Sequence, residues 1–402
     1  MKLPDTQNRP IHLFILIDAL GWEYVKTREF LDDILSYRQP VRTVLGFSSG
    51  AIPTILTGRP PAENGHWNLF YYDPKNSPFS WLKYLLWLPD SVLDNRVSRK
   101  IVKELGRRVL GMGPLFECFV SPRLMPFFNW VEKRSIYSPG GITGAKSIFD
   151  RLAEAQIPRH VYTYHEFRDE EIFSKATNDI AETQDSFFFL YLSEMDHFLH
   201  HHCDAPERID SELRRYGDRI RALYEFASSQ STDVTLTVFS DHGMTPVRKH
   251  YPLGDHVGAL GLRSPADFLS VFDSTMARFW FFNDTAREKI SELLAETPCG
   301  RILSNQELSD LGLGFPDDRY GQLIFLLHPG WLIADSDFNS GSWQPIGMHG
   351  YHPDDCDSDA IFLSNHTPSS MLNDIRDVYN CMREAVTRGS DSSLVDTHVT
   401  PR

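Results

Sequence analysis

Three runs of apolar residues, each about the length of one strand, lie upstream of acidic side chains. The runs are residues 11–17, 187–192 and 234–239. A short continuous apolar run is typical of a strand buried on both faces, as in a parallel sheet. Asp18, Asp196 and Asp241 follow the three runs in turn. Because ligands collect at the carboxyl ends of parallel strands, this pattern predicts an open α/β sheet with a polar site at that end.

The remaining chain alternates helical and strand patterns but is interrupted twice. The 402 residues, 41% of them hydrophobic, suffice for one large core. We predict a three-layer α/β/α domain over residues 1–388, with a mostly parallel central sheet. Its core is expected to comprise residues 11–64, 142–250 and 321–388. The expected interruptions are a cap insertion at 65–141 and a second, irregular insertion at 251–320, and residues 389–402 are expected to form a disordered tail.

Composition excludes several classes of protein. The net charge of −14 argues against a general nucleic-acid-binding surface. No apolar run reaches the ~20 residues needed to span a bilayer, and the first apolar run lacks a cleavage-site pattern. The five cysteines are scattered and include no CxxC pair, so we expect no disulfide framework and a cytoplasmic location. The oligomeric state is left open.

The insertion at 65–141 differs from the rest of the chain in charge and aromatic content. From Lys75 to Gly140 there are eleven Lys and Arg residues against five Asp and Glu, inside an acidic protein. Four of the eight tryptophans lie between Trp67 and Trp130. The aromatic residues are explained either by packing of a cap over the site or by peripheral membrane or lipid contact through 75–140.

The stretch Gly46–Gly58, with sequence GFSSGAIPTILTG, predicts a helix that begins near two serines. Pro53 is compatible with a helix start, because N–H groups there have no helical partner. Ser48 or Ser49 then lies where free N–H groups and the helix dipole favour an anion. A serine in that place can attack a phosphoryl group once it is activated, although this stretch alone equally indicates a structural N-cap.

Metal-ligand residues cluster after the second and third apolar runs. Asp196 and His200 are four residues apart, so a helical turn would place both on one face, suitable for one metal. Composition alone does not choose among the histidines of this turn, which also include His197, His201 and His202. Asp241 and His242 precede Gly243, and a sharp turn at this glycine would let both side chains reach one ion.

A further histidine, His349, lies between methionine and glycine in the sequence Gly-Met-His-Gly-Tyr. Each cluster alone is also compatible with a surface turn. Several clusters together with a candidate nucleophile are harder to explain by chance, and they predict a metal site. Asp and His ligands without Cys favour Zn²⁺, with Mn²⁺ as the second choice.

These motifs resemble the alkaline phosphatase superfamily, specifically its type I phosphodiesterase/nucleotide pyrophosphatase branch. The matching pieces are ILIDALG, SSGAIPTILTGRPPAENG, YLSEMDHFLH, FSDHGM and GMHGY, in the family's order. The resemblance covers residues 11–365 apart from the insertions. It implies an alkaline phosphatase-like fold and two divalent metal ions.

The resemblance also implies roles for individual residues. The family's nucleophile lies nine residues before the Thr of a Thr-Gly pair, and counting back from Thr57 gives Ser48. One metal would then be held by Asp18, Ser48, Asp241 and His242. The other would be held by Asp196, His200 and His349. The family's usual Asn three residues after the nucleophile is replaced here by Ala51, so the preference between monoesters and diesters is left open.

We therefore expect a two-metal phosphohydrolase that cleaves a small-molecule phosphate ester through a phosphoseryl intermediate on Ser48. Two alternatives remain at this point. A phosphotransferase or mutase would use the same site with an alcohol in place of water. A catalytically silent protein would use the basic aromatic insertion to bind a membrane or a partner.

Overall fold

The computed structural model describes residues 9–110, 120–334, 336–337 and 344–389. Of the predicted tail at 389–402, residues 390–402 lie outside the described part of the chain. The strands are β1 (Ile11–Ile17), β2 (Tyr37–Val41), β3 (Phe70–Tyr72), β4 (Phe128–Trp130), β5 (Arg159–Tyr162), β6 (Phe187–Leu192), β7 (Val234–Phe239), β8 (Thr245–Pro246), β9 (Lys249–Tyr251), β10 (Phe268–Phe272), β11 (Met276–Phe281), β12 (Gly300–Ile302), β13 (Leu323–Leu327), β14 (Trp331–Ile333), β15 (Gly347–Met348) and β16 (Ala360–Ser364).

The helices connect these strands and cover the central sheet. They are α1 (Trp22–Val25), α2 (Ser48–Thr57), α3 (Pro61–Asn64), α4 (Asp90–Leu93), α5 (Arg96–Arg108), α6 (Ile148–Glu154), α7 (Asp169–Glu182), α8 (Glu194–His202), α9 (Pro206–Gln230), α10 (Leu253–Gly258), α11 (Asp284–Glu296), α12 (Asn305–Asp310) and α13 (Val378–Gly389). Among the described helices, none combines the length and apolar character needed to cross a bilayer.

A six-stranded sheet forms the centre of the molecule, in the order β2-β16-β7-β1-β6-β5. Strand β1 pairs in parallel with β6 and β7, and β5 is parallel to β6. Only β16 runs antiparallel, to both β7 and β2. The predicted mostly parallel α/β sheet is therefore confirmed.

The sheet is buried on both faces because successive side chains of each strand point to opposite sides. In β1, Leu13 and Ile15 lie in one buried cluster, whereas Phe14 and Leu16 lie in the other. The first cluster includes residues of helices α7, α8 and α9, and the second includes residues of α2, α6 and α13. Burying each large apolar side chain stabilises the fold by about 1.5–3 kcal/mol. The result is the three-layer α/β/α architecture.

The segment 251–320 is not irregular, contrary to the expectation. It supplies β10, β11 and β12 of a second sheet, in the order β10-β11-β13-β12, whose strand pairs are antiparallel. Strand β13, which the sequence assigned to the core, pairs with β11 and β12 in this sheet. Apolar periodicity predicts a strand but does not specify its partners, so the expected core segment 321–388 is wrong where it includes β13.

The insertion at 65–141 packs mainly against the second sheet. Phe70, Phe79 and Trp130 share a buried cluster with Leu269 and Trp280 of β10 and β11. Phe128 also meets Trp280, at 5.3 Å between ring centroids and in an edge-to-face arrangement. Many of the insertion's aromatic residues are therefore explained by packing.

The outer side of the insertion has a different character. Trp87 is 78% exposed and Ile101 61% exposed. Arg107 and Arg108 on the same helix as Ile101 pair with Glu104. This outer face combines apolar and cationic side chains.

Candidate metal centre and nucleophile

Two neighbouring parallel strands, β1 and β7, bring three ligand-type residues together at their carboxyl ends. Asp18 directly follows β1, and Asp241 and His242 follow β7 after one serine. The pairing of Leu16 with Phe239 places both strand ends at one level. Gly243 is needed directly after His242, because a Cβ there would lie 2.2 Å from the carbonyl oxygen of Asp357.

Helix α8 and a short two-stranded pairing bring the remaining predicted ligands to the same place. Asp196 and His200 lie one helical turn apart on α8, which follows β6 after Ser193. Strand β15 pairs with β8, just beyond His242, and thereby places His349 beside it. The rings of His242 and His349 stack with centroids 3.8 Å apart.

Ser48 is the first residue of helix α2 and faces this cluster. Its Oγ lies 2.9 Å from His242 Nε2. The Oγ of Ser49 instead donates to the carbonyl oxygen of Trp67, 3.4 Å away. The geometry therefore places Ser48, and not Ser49, beside the predicted ligands.

The carboxylates of Asp18 and Asp241 each have one oxygen that accepts hydrogen bonds from the protein and one that does not. Asp18 Oδ2 accepts from the hydroxyl of Tyr191, and Asp241 Oδ1 accepts from the backbone N–H groups of Ala19 and His242. The other oxygens, Asp18 Oδ1 and Asp241 Oδ2, are buried and have no hydrogen-bond partner among the described residues, and the same holds for Asp196 Oδ1. Orphaned buried oxygens are costly unless a cation binds them.

Two of the histidines are oriented in the way that metal ligands usually are. His242 Nδ1 lies 2.9 Å from the carbonyl oxygen of Gly243, and His200 Nδ1 lies 2.8 Å from that of Gly347. A carbonyl only accepts, so each Nδ1 carries the proton and donates it. Each Nε2 then has a lone pair directed at the carboxylates. In metal sites, a ligating histidine usually donates its other ring N–H to such a carbonyl, which fixes the orientation of the ring.

The electrostatics of the cluster also call for positive charge. Burial, followed by the charges of Asp241 and Asp196, raises the pKa of Asp18 well above its usual value. Burial acts to raise the pKa of Asp196, but the imidazoles of His200, His349 and His242 outweigh it and lower the pKa. Burial and then His242 lower the pKa of His349 well below its usual value. Three carboxyl groups thus converge on one buried place, and divalent cations would stabilise their ionised forms.

The ligand atoms form two overlapping groups in which all atoms lie within 4.8 Å of one another. One consists of Asp18, Asp241 and His242, and the other of Asp196, His242 and His349. His200 was predicted in the second group but joins it only through Asp196, whose Oδ1 lies 3.3 Å from His200 Nε2. All seven residues predicted as nucleophile or ligands therefore meet at the carboxyl end of the sheet.

A cavity of about 290 Å³ opens beside Ser48, His200 and His349. Its wall includes Leu69, Glu132 and Tyr137 from the two ends of the insertion. Tyr164 and His165, which follow β5, complete it. The sequence analysis did not identify these wall residues, because they lie outside the motifs and come together only through the fold.

The comparisons with known proteins agree with this arrangement. Residues 12–352 match the family model described as type I phosphodiesterase / nucleotide pyrophosphatase. No significant match in sequence is found among curated proteins. Among solved structures, murine ectonucleotide pyrophosphatase/phosphodiesterase 5, as an inactive variant in complex with AMP, matches with a TM-score of 0.65, 15% identity and 95% of each chain covered.

A second solved structure, human ectonucleotide pyrophosphatase/phosphodiesterase 5, also matches with a TM-score of 0.65. Its identity is 14%, with 94% of this chain and 95% of that chain covered. At such low identity, the structural likenesses support the fold.

Proposed function

This chain belongs to the type I phosphodiesterase/nucleotide pyrophosphatase family and is a metal-dependent hydrolase of phosphoric ester bonds, and on that premise we propose that it cleaves its substrate by a double displacement on Ser48. The observation that carries this proposal is the position of Ser48 Oγ, 2.9 Å from His242 Nε2 and at the start of a helix. A hydroxyl in this position lies near the proposed ligand atoms. It also lies at the N-terminal end of a helix, where a phosphate group can bind.

Two divalent ions, with Zn²⁺ the first choice, fit the donor set. Asp18, Asp241, His242 and Ser48 would hold one ion, and Asp196, His200 and His349 the other. The orphaned carboxylate oxygens and the lone pairs of the oriented histidines support this assignment. When bound, such ions would neutralise the charge of the phosphate ester and lower the pKa of the serine hydroxyl.

Ser48 attacks in line, so that a bond forms between its Oγ and phosphorus while the bond from phosphorus to the alcohol oxygen breaks. The hydroxyl proton of Ser48 leaves to solvent, and the departing alcohol takes up a proton. Water then attacks the phosphoseryl group, releases the phosphate product and restores the serine. A diester would yield a monoester and an alcohol, and a monoester would yield inorganic phosphate.

Ala51 replaces the family's Asn, so another donor must bind the phosphoryl oxygen that the Asn side chain would bind. The backbone N–H groups of Ser48 and Ser49 have no hydrogen-bond acceptor among the described residues, whereas those of Gly50 and Ala51 donate to the carbonyl of Phe47. We propose that these two free N–H groups hold a non-bridging phosphoryl oxygen in place of a side-chain amide. Ala51 lies on the buried face of α2, and its methyl side chain offers no donor.

The stereochemistry at phosphorus tests the double displacement. A diester made chiral at phosphorus by one sulfur atom would be hydrolysed in isotopically labelled water, and the configuration of the product determined. Two successive in-line displacements give overall retention, which we expect. Inversion would show that water attacks directly, and it would overturn the role of Ser48.

The cysteines support a reducing location, which we propose to be the cytoplasm. Cys203, Cys299 and Cys381 are buried and unpaired as free thiols. Burial raises the pKa of the Cys203 and Cys299 thiols to about 11. Fractionation of cells that express the full chain tests this location, and enrichment outside the cytoplasm would contradict it.

A further inference from the structure

The exposed large apolar side chains of the described chain are concentrated in one stretch of the insertion. Of the ten such side chains, six lie within residues 83–109, whose exposed side is here called the outer face. They are Tyr84, Trp87, Val92, Val97, Ile101 and Val109. Apolar residues exposed singly are ordinary on a protein surface, whereas a concentration of them marks an interaction surface.

The outer face is supported from beneath by a packed core. Leu82 and Val102 are both buried in the apolar cluster that joins the insertion to the second sheet. Arg123 donates to the carbonyl oxygens of Leu86 and Leu88, at 2.7 and 2.5 Å. The exposed side chains are therefore carried by elements whose other side is fixed to the fold.

Helix α5 presents apolar and cationic side chains next to each other. Val97 and Ile101 lie one helical turn apart and are 68% and 61% exposed. Val102 and Gly106 are the buried residues of this helix. Lys100 is exposed and follows Val97 by three residues, so the two are neighbours on the helix surface. Apolar side chains bordered by lysine and arginine are typical of helices that lie on a membrane surface.

The charge of this stretch is opposite to that of the rest of the molecule. Residues 83–109 contain seven Lys and Arg against three Asp and Glu, which is +4 in a chain of −14 and leaves −18 for the other residues. Arg96 and Lys100 are exposed and form no ion pair with a described residue. A negatively charged surface would therefore attract the outer face and repel the remainder, which would fix the orientation of the molecule.

Two exposed aromatic residues fit the same surface. Trp87 is 78% exposed and Tyr84 70% exposed. Both types are enriched where a membrane meets water, because the ring is apolar and its N–H or O–H group is polar. Lys83 Nζ lies 5.0 Å from the centre of the Tyr84 ring. Ring and ammonium group would thus enter the headgroup layer together.

We infer that the outer face docks on a bilayer that contains anionic lipids, with Trp87, Val97 and Ile101 entering it and the exposed cations next to the lipid phosphates. This surface is separate from the metal centre, and its role does not depend on that of Ser48. Nucleic acid would match the cations but leave Val97 and Ile101 without apolar contacts. A second copy of the chain, joined through the same face, would bring like charges together.

Flotation of the full chain with vesicles, at low ionic strength, tests the role of charge. We expect the natural chain to bind phosphatidylcholine vesicles roughly tenfold more tightly when they also contain phosphatidylserine. Arg96→Gln combined with Lys100→Gln should weaken this binding roughly tenfold, with circular dichroism unchanged. The matched control, Arg214→Gln combined with Lys289→Gln, removes two exposed charges from helices α9 and α11 and should bind as the natural chain does.

Quenching of tryptophan fluorescence tests the entry of apolar side chains. Phosphatidylcholine that is brominated on its acyl chains quenches only those tryptophans that reach it in the bilayer. We expect quenching of the natural chain on anionic vesicles that contain this lipid, and loss of most of it in Trp87→Phe. Trp331→Phe is the control and should keep the quenching, because Trp331 lies on β14, outside the insertion.

Several outcomes would overturn the inference. They are absence of vesicle binding, equal binding with and without phosphatidylserine, unchanged binding in Arg96→Gln with Lys100→Gln, and an equal loss in the control pair. Binding without quenching would exclude entry into the bilayer. Tighter binding of single-stranded RNA than of vesicles would assign the face to nucleic acid. A dimer in sedimentation velocity that Val97→Ser with Ile101→Ser abolishes would assign it to contact between copies.

Discussion

The metal centre and the cavity beside it share Ser48 and its surroundings, yet they are built differently. The centre is assembled from strand ends and helix α8 of the core, and its polar atoms are oriented by the hydroxyl of Tyr191 and by backbone groups. The cavity wall comes largely from the ends of the insertion, and its one carboxylate, on Glu132, has no such partner within the described chain.

This difference separates two tasks. Groups already oriented by the fold can stabilise a transition state without rearranging, which is what the chemical step requires. Side chains of the cavity wall can contact the part of a substrate that does not react, which is what selection between substrates requires. We therefore expect substitutions in the centre to affect all substrates alike, and substitutions in the insertion to affect them unequally.

The largest effect is expected from Ser48→Ala. Loss of the nucleophile should lower kcat on the order of a thousandfold or more for every ester, because no later step can bypass the phosphoseryl enzyme. Steady-state kinetics with bis(4-nitrophenyl) phosphate measures this. Ser49→Ala is the matched control and should retain most activity, since its Oγ bonds to Trp67 instead. A larger loss of activity in Ser49→Ala than in Ser48→Ala would show that counting nine residues back from Thr57 selects the wrong serine.

An intermediate effect is expected from Tyr191→Phe. The hydroxyl of Tyr191 orients Asp18 by donating to Oδ2, and loss of such outer partners typically costs about 10–100-fold in metal affinity. Competition with a chelator measures the affinity. Tyr162→Phe is the control, because it removes a hydroxyl from the neighbouring strand that bonds to Asp179, away from the centre. Equal affinity in the natural chain and Tyr191→Phe would mean that Asp18 is held without this bond.

The smallest kinetic effect is expected on the outer face of the insertion, which we propose contacts an anionic lipid surface. Trp87→Ala combined with Ile101→Ala should leave hydrolysis of a soluble ester unchanged, because neither residue lines the cavity. It should weaken co-sedimentation with phosphatidylserine-containing vesicles several-fold. A lipid role for 75–140 would be contradicted if the natural chain did not bind the vesicles. It would also be contradicted if the double variant bound them as well as the natural chain does.

The core was predictable from sequence because local patterns determine it. Strands β1, β6 and β7 have the bounds of the apolar runs. The acidic and histidine residues after those strands met because parallel strands share a carboxyl end. Local sequence and one topological rule thus predicted where the candidate centre lies, whereas the choice of Ser48 and His200 came from the resemblance to the family.

Long-range contacts decided what sequence reasoning missed. The local pattern of residues 22–36 favours one helix, but α1 ends at Val25 and Leu31 has a positive φ of 59°. Arg38 donates to the carbonyls of Val25 and Phe30, which a local pattern does not show. Likewise, Glu132 reaches the cavity only because the insertion folds back on the core. No motif or periodicity marks such a residue.

We propose that two ligand sets hold two ions at the carboxyl end of the sheet. Elemental analysis of the purified chain, after equilibration with Zn²⁺ and removal of loosely bound metal, tests it most directly. We expect two ions per natural chain and fewer in both Asp241→Asn and Asp196→Asn, with circular dichroism unchanged. One ion or none in the natural chain, or two ions in both variants, would contradict the account.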